Sequence, residues 1–158
     1  MSATIDADRL TQRHRKIRTA MHPHCIVCGT DNENGGLGLE FSLCDDGSVE
    51  AVFPCHERFQ GYRDILHGGV TSALLDGAMT NCLFAHGIVA VTAEMNVRFR
   101  HPIKLGMPLT LRAKITHQQS PLYIVEAGLI QENQLRAKSV GKFMEQRDES
   151  ERQLSMFS

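Results

Sequence analysis

The chain has 158 residues, a length typical of a single domain. Hydrophobic residues make up 42% of it, which predicts a folded core and excludes a largely disordered chain. Lys and Arg number 17 and Asp and Glu 18, so no net positive charge favours nucleic-acid binding. The polar N-terminal segment and the lack of a long apolar run predict a cytoplasmic protein without a membrane span.

The N-terminal part of the chain predicts one helix and one loop. Residues 6–21 place a thin apolar stripe on a basic helix, which favours shallow docking on the body over a membrane-surface role. Residues 29–38 are rich in Gly, Asn and Asp and therefore form a loop. We divide the chain into a helical extension at 1–24, a folded body at 25–146 and a flexible polar tail at 147–158.

The body predicts two strands, one long helix and about four further strands. Residues 45–47 form a turn between two β-prone runs, which indicates a hairpin. Residues 68–87 are apolar on most faces and end in Gly87, as a buried helix does. Alternation with period two predicts the remaining strands, at 89–101, 109–117, 122–130 and 135–144. No helix separates these strands, so the sequence predicts an α+β fold with one antiparallel sheet curling around one helix.

Two glycines open the long helix directly after His67. Gly68 and Gly69 leave room for a ligand beside the free N–H groups of the first turn, at the positive end of the helix dipole. This arrangement suits a developing oxyanion. The alternative is that the pair only makes a tight turn into the helix.

Asp76 lies in the middle of the same helix, where Asp has a low propensity and no Lys or Arg stands one turn away. One interpretation is that its carboxylate faces solvent or accepts a hydrogen bond from Ser72 or Thr80. The other is that it acts as a base or nucleophile, as attack on an acyl carbon requires.

The strings HGGVTSALLDGAM at residues 67–79 and VTAEMNVRFRHPI at 91–103 resemble the hotdog-fold acyl-CoA thioesterases of the PaaI-like family. The resemblance covers roughly residues 25–143. It implies a hotdog fold, in which an antiparallel sheet wraps around a long central helix. It also implies a thioester hydrolase that acts on acyl-CoA, with no cofactor because coenzyme A is part of the substrate.

The resemblance also implies catalytic roles by position. Asp76 would be the catalytic carboxylate, and the backbone N–H of Gly69 would polarise the thioester carbonyl. His67 would orient the start of the helix, and Thr92 would position a water molecule. Alternation along residues 89–99, however, places Thr92 on the face of its strand opposite the helix, where it would serve a site only beside a partner subunit.

Substrate contacts are expected around the loop that precedes the helix. Relatives carry an Asn six residues before the His, but this chain has Gly61 there, and the neighbouring Gln60 would substitute only if the loop shifts. Gly68 lies at the same mouth. The phosphates of coenzyme A need cations nearby. The candidates are Arg63, Arg98, Arg100 and Lys104.

A cysteine motif precedes the first strand. His22, His24, Cys25 and Cys28 could supply four tetrahedral metal ligands. A second spaced pair is missing, so we expect a structural loop with buried thiols and no metal. The total of five cysteines is odd, which favours reduced thiols over a disulfide framework.

Helix geometry bears on the oligomeric state. Gly69 and Asp76 are seven residues apart, about 10 Å along one helix axis, which is too far to act on a single carbonyl carbon. We therefore expect a homodimer in which Gly69 faces Asp76 of the partner subunit, with pairing of two dimers into a tetramer left open. Two alternatives to a thioesterase remain: a hotdog hydratase or dehydratase of acyl thioesters, and a non-catalytic module that binds acyl-CoA.

Overall fold

The computed structural model describes residues 2–29 and 36–146. The predicted tail at 147–158 and most of the predicted loop at 29–38 lie outside this range, so both stay predictions, as do the boundaries between extension, body and tail. Among the helices that are described, none is long and apolar enough to cross a bilayer.

The secondary structure follows the predicted order. Helix α1 spans Ser2–Met21 and helix α2 spans Gly68–Ala85, while Glu57–Phe59 form a single 3₁₀ turn. The six strands are β1 (Ser42–Leu43), β2 (Val49–Phe53), β3 (Ala90–Phe99), β4 (Leu109–Gln119), β5 (Leu122–Gln131) and β6 (Gln134–Glu145). Gly87, with φ +75°, follows the end of α2 as predicted.

The six strands form one antiparallel sheet in the order β1-β2-β4-β5-β6-β3. Helix α2 packs against one face of this sheet, and its residues are buried on nearly all sides. A helix that is apolar all round must lie inside the protein, because any exposed side would leave hydrophobic area in water. The predicted α+β fold with a single sheet around a central helix is confirmed.

A row of paired residues shows which face of the sheet contacts α2. Leu111 pairs with Leu129, which pairs with Ala137, and all three are buried. Phe99 of β3 pairs with Ala137 and so extends the row toward the first turn of α2. The register of the sheet thus carries an aromatic side chain to the N-terminus of the helix.

Strand β3 lies at the edge of the sheet and contains a β-bulge. Its pairing with β6 shifts between Thr92 and Glu94, which leaves Ala93 as the extra residue. A bulge reverses the alternation of side chains along a strand. Thr92, before the bulge, therefore points toward α2, and so does Met95, after it. The prediction that Thr92 lies on the opposite face is therefore wrong, whereas Met95 and Val97 pack against the core as the alternation predicts.

Helix α1 docks on α2 through a buried polar contact. The ring Nε2 of His14 lies 2.8 Å from Oδ1 of Asn81, whose Nδ2 donates to the carbonyl of Gly77 at 2.8 Å. Because that carbonyl can only accept, the Asn81 oxygen faces His14, and Nε2 is the donor. Burial lowers the pKa of His14, while the hydrogen bond to Asn81 raises it.

Candidate active site

The first turn of α2 is capped by the side chain of the residue before it. His67 is the N-cap, with φ −58° and ψ 133°, and its Nδ1 accepts a hydrogen bond from the N–H of Gly69 at 2.8 Å. The carbonyl of His67 accepts from the N–H of Thr71 at 3.0 Å, which closes the turn. His67 thus caps the start of the helix.

This cap decides which backbone donor is available to a ligand. The N–H of Gly69, assigned by resemblance to the thioester carbonyl, already donates to His67. The N–H of Gly68 has no acceptor within the described part of the chain. A Cβ atom added at Gly68 would lie 3.7 Å from Phe99, an ordinary contact, so the backbone there is open to approach. Gly68 therefore offers a free donor at the positive end of the helix dipole.

The loop before α2 is closed by its own backbone. Gly61 donates to the carbonyl of Ile65 at 2.9 Å, and the N–H of His67 donates to that of Phe59 at 2.9 Å. A Cβ atom at Gly61 would lie 2.9 Å from the Cα of His67, so the Asn that many relatives carry would require the backbone here to shift. The Oε1 atom of Gln60 accepts from the N–H of Asp64 at 3.0 Å, which leaves its amide NH₂ as the group able to donate to a ligand.

Two adjoining clefts open at this end of α2. Their volumes are about 430 Å³ and about 410 Å³, and both are lined by Tyr62, Leu66 and Gly68. Tyr62 and Phe99 expose 87% and 58% of their surfaces, so these rings present apolar area to a ligand. Such walls suit an acyl chain or the apolar part of a long thiol arm.

The predicted cations are distributed unevenly around these clefts. Arg100 lines the larger one, whereas Arg63 and Arg98 are exposed and line neither. Lys104 pairs with Glu132 at 3.0 Å and is therefore engaged within its own subunit. Of the four candidate cations, Arg100 is the one that the structure brings to a cleft.

Asp76 and Thr92 form the second half of the site. The hydroxyl of Thr92 donates to Oδ1 of Asp76 at 2.6 Å, and Asp76 is half-buried. Ser72 donates instead to the carbonyl of Gly68, so it is not the partner of the carboxylate. The other carboxylate oxygen, Oδ2, has no protein donor among the described residues. A carboxylate with one oxygen held and the other open can accept a proton from water.

The two halves of the site do not meet within one subunit. Gly68 and Asp76 are eight residues apart on α2, about 12 Å along the helix axis. The structure brings His67, Gly68, Gly61 and Gln60 together at one place, and Asp76 and Thr92 at another.

The cysteine motif forms a separate cluster. The ligating atoms of His22, Cys25 and Cys28 all lie within 4.8 Å of one another, and His24 is not part of this group. Burial is the main reason that the pKa of the Cys28 thiol is raised to about 11.

Sequence reasoning missed two features of the clefts. It assigned the N–H of Gly69 to the thioester carbonyl without the knowledge that this N–H donates to the ring of His67, because the sequence does not show where that ring lies. It also left out Phe99 as a cleft wall. The alternation of residues 89–99 could have identified it, because apolar residues at odd-numbered positions of this strand are expected to face the helix, and Phe99 is one of them.

Comparison with known proteins gives consistent matches. The sequence profile of the thioesterase superfamily matches residues 64–138, which include His67, Asp76 and Thr92. The chain is 30% identical over 102 residues to human acyl-coenzyme A thioesterase 13, covering 63% of this chain and 69% of the human protein.

Solved structures share the fold. The PaaI protein of the E. coli phenylacetic acid degradation operon has a TM-score of 0.72 and 19% identity, over 87% of this chain and 96% of PaaI. A Streptococcus mutans protein solved with acetyl-CoA has a TM-score of 0.64 and 19% identity, over 68% of this chain and 88% of its own. The predicted hotdog fold and the resemblance to PaaI-like thioesterases are confirmed.

Proposed function

Because the chain belongs to the thioesterase superfamily and is a thioester hydrolase, we propose that it cleaves acyl-CoA with Asp76 as the catalytic carboxylate. The observation that carries this proposal is the Asp76 side chain, half-buried on a central apolar helix and held by Thr92 at 2.6 Å. Coenzyme A as the leaving group is supported by the name of the human relative and by the acetyl-CoA bound to the Streptococcus mutans neighbour.

In the proposed reaction the N–H of Gly68 donates to the thioester carbonyl oxygen and stabilises the negative charge that develops there. Oδ2 of Asp76 takes a proton from a water molecule, whose oxygen attacks the carbonyl carbon. Thr92 holds Oδ1, so the carboxylate keeps one orientation during the attack. Collapse of the tetrahedral intermediate breaks the C–S bond, and the proton held by Asp76 passes to the departing thiolate. This releases the carboxylic acid and the thiol of coenzyme A and restores the Asp76 carboxylate.

The acyl-CoA would lie across the clefts at the start of α2. The exposed rings of Tyr62 and Phe99 would contact the acyl group or the thiol arm, and Arg100 at the rim would face a phosphate. Gln60 would donate from its amide NH₂ in place of the Asn found in relatives. Arg63 and Arg98, which are exposed outside both clefts, would contribute to the positive field rather than to a defined contact.

A complete site requires a second subunit in this proposal. One carbonyl cannot reach both Gly68 and Asp76 across about 12 Å of the same helix. Strand β3 is an edge strand of ten residues that exposes Val91 and Phe99, so it offers unpaired backbone groups and apolar area to a second copy. We infer a homodimer in which Gly68 of one protomer faces Asp76 of the partner subunit.

The alternative functions lack a supporting observation. A hydratase needs a His paired with a carboxylate for proton transfer at carbon, whereas Nδ1 of His67 accepts from Gly69. A module that only binds acyl-CoA would not need a carboxylate held by a hydroxyl at the site. Hydration of crotonyl-CoA without release of thiol would favour the hydratase.

Complementation between two inactive variants tests the shared site. Gly68→Pro removes the free N–H, and the φ and ψ of His67 are those that a residue before proline adopts, so Pro fits the first helical position. Asp76→Ala removes the carboxylate. Each homodimer should lose at least about 10²-fold in turnover. Heterodimers made by co-refolding should rebuild one site each, so a random mixture should recover about a quarter of wild-type activity.

The matched control is Gly68→Ala, which keeps the N–H and adds a Cβ atom at an ordinary 3.7 Å from Phe99. It should retain more activity than Gly68→Pro, because the N–H donor remains. Folding and mass of every species are checked by circular dichroism and analytical ultracentrifugation, which also separates dimer from tetramer. If both variants are folded and dimeric but their mixture stays inactive, the shared site is wrong. If Asp76→Ala alone keeps near-normal turnover, the carboxylate assignment is wrong.

A further inference from the structure

We propose that His22, Cys25 and Cys28 bind a zinc ion at the junction between α1 and the body. In tetrahedral zinc sites, with Zn–S of about 2.3 Å and Zn–N of about 2.0 Å, neighbouring ligand atoms lie roughly 3.5–3.8 Å apart. The Sγ of Cys28 lies 3.8 Å from Nδ1 of His22, and all three ligating atoms lie within 4.8 Å of one another. The cluster therefore needs little movement to close around a metal.

The backbone of the loop presents both thiols on one side. The N–H of Gly29 donates to the carbonyl of Cys25 at 2.8 Å, which closes a tight turn over Cys25–Cys28. The N–H of Val27 donates to Sγ of Cys25 at 3.4 Å. Hydrogen bonds of this kind orient a thiolate ligand and stabilise its charge.

The third ligand comes from the end of α1. This helix ends at Met21, and the next residue, His22, turns its ring against Phe84 of α2 with the ring centroids 4.9 Å apart. The imidazole is thus held beside the two cysteines by packing on the buried helix. The expectation of no metal rested on the missing second Cys/His pair. Of the candidate ligands, the fold brings His22 beside Cys25 and Cys28, and His24 is not part of this group.

Two thiols and one imidazole are ligands that select zinc over magnesium or calcium, which prefer oxygen. Binding would release one proton from each thiol, so the two thiolates would neutralise the charge of Zn²⁺. Water would fill the fourth tetrahedral position. The cysteines of the described chain are free thiols, so the pair is available in reducing conditions.

The metal would connect three parts of the fold. Between the two cysteines, Val27 packs against Gly77 so closely that a Cβ atom at Gly77 would lie 2.3 Å from Cγ1 of Val27. Gly77 follows Asp76 on α2. Zinc at this place would fasten the end of α1 and the loop against the segment of α2 that carries Asp76. The proposed metal binding does not require the reaction proposed above.

Metal analysis of the intact chain tests the proposal. Reduced wild-type protein is incubated with Zn²⁺, desalted and analysed by inductively coupled plasma mass spectrometry, with about one zinc expected per chain. Cys25→Ser and His22→Ala should each fall to background. Cys44→Ser is the matched control, because Cys44 is also a half-buried free thiol but lies outside the cluster, and it should keep its zinc.

Cobalt substitution gives a second readout that does not depend on activity. The Co²⁺ form of the wild type should show thiolate-to-cobalt charge-transfer absorption, and Cys25→Ser should lack it. Removal of zinc by a chelator should lower the melting temperature of the wild type and leave that of folded His22→Ala unchanged. Wild-type protein that retains no zinc and shows no such band would overturn the proposal, as would zinc that remains in Cys25→Ser but is lost in Cys44→Ser.

Discussion

At the scale of single residues, the hydroxyl of Thr92 holds Asp76, the carboxylate that we propose as catalytic. It donates to Oδ1 of Asp76 at 2.6 Å and so fixes which oxygen is left for water. We expect Thr92→Val, which keeps the branched shape but not the hydroxyl, to lower kcat roughly tenfold with little change in KM. Thr92→Ser keeps the hydroxyl and should retain most turnover. Steady-state assays with an acyl-CoA and thiol detection give both constants.

Equal kcat for the Val and Ser variants would contradict a role for this hydrogen bond. A rise in KM with unchanged kcat would instead assign Thr92 to substrate binding.

Thr92 also shows which features of the site could not be predicted from the sequence. Alternation over residues 89–99 predicts the helix-facing side correctly for Met95 and Val97 but not for Thr92, because one extra residue, Ala93, reverses the parity. A bulge is set by the pairing of two strands distant in sequence, so no local pattern marks it. The choice between Gly68 and Gly69 depends likewise on where the ring of His67 points.

At the scale of elements, the N-cap of α2 stabilises the first turn of the helix and occupies one of its backbone N–H groups. His67 satisfies the N–H of Gly69, and Thr71 satisfies the carbonyl of His67. We expect His67→Ala to lower the free energy of unfolding by about 1 kcal/mol, because it leaves an N–H of the first turn without its acceptor. His67→Asn, which restores a side-chain acceptor, should recover most of this loss. Urea denaturation measures both.

If His67→Ala and His67→Asn are equally stable, the cap contributes nothing. The activity of His67→Ala gives a second criterion. Without the cap, the N–H of Gly69 would compete with that of Gly68 for the thioester carbonyl oxygen.

The elements themselves were largely predictable. The apolar run of α2 and the alternation of β4, β5 and β6 have strong periods, and each lies where the sequence places it. The docking of α1 was less so. Its apolar stripe predicts contact with the body but not the buried pair of His14 and Asn81, since a polar side chain on one helix does not reveal a partner 67 residues away.

At the scale of the whole molecule, the exposed edge at β3 and the separation of Gly68 from Asp76 both support the proposed homodimer. In that proposal a single subunit has a complete core but two incomplete half-sites. In this arrangement dimerisation and catalysis are coupled, so dilution below the dimer dissociation constant would abolish turnover while each chain keeps its central helix covered.

The final prediction concerns the stability of the whole fold against acid. Burial lowers the pKa of His14 below its ordinary value of 6.5, with Arg18 and Arg15 acting in the same direction and Asn81 opposing them. Below about pH 6.5 the unfolded chain therefore binds a proton that the folded chain resists, and the free energy of unfolding falls as the pH decreases toward the folded pKa.

His14→Gln can still donate to Asn81 but does not titrate. Its unfolding free energy should decline less between about pH 7 and about pH 5, as measured by urea denaturation. His117→Gln, at an exposed position of β4, is the control and should keep the wild-type slope. The prediction fails if His14→Gln and wild type lose stability in parallel over this range, because the buried imidazole would then not be the group that resists protonation.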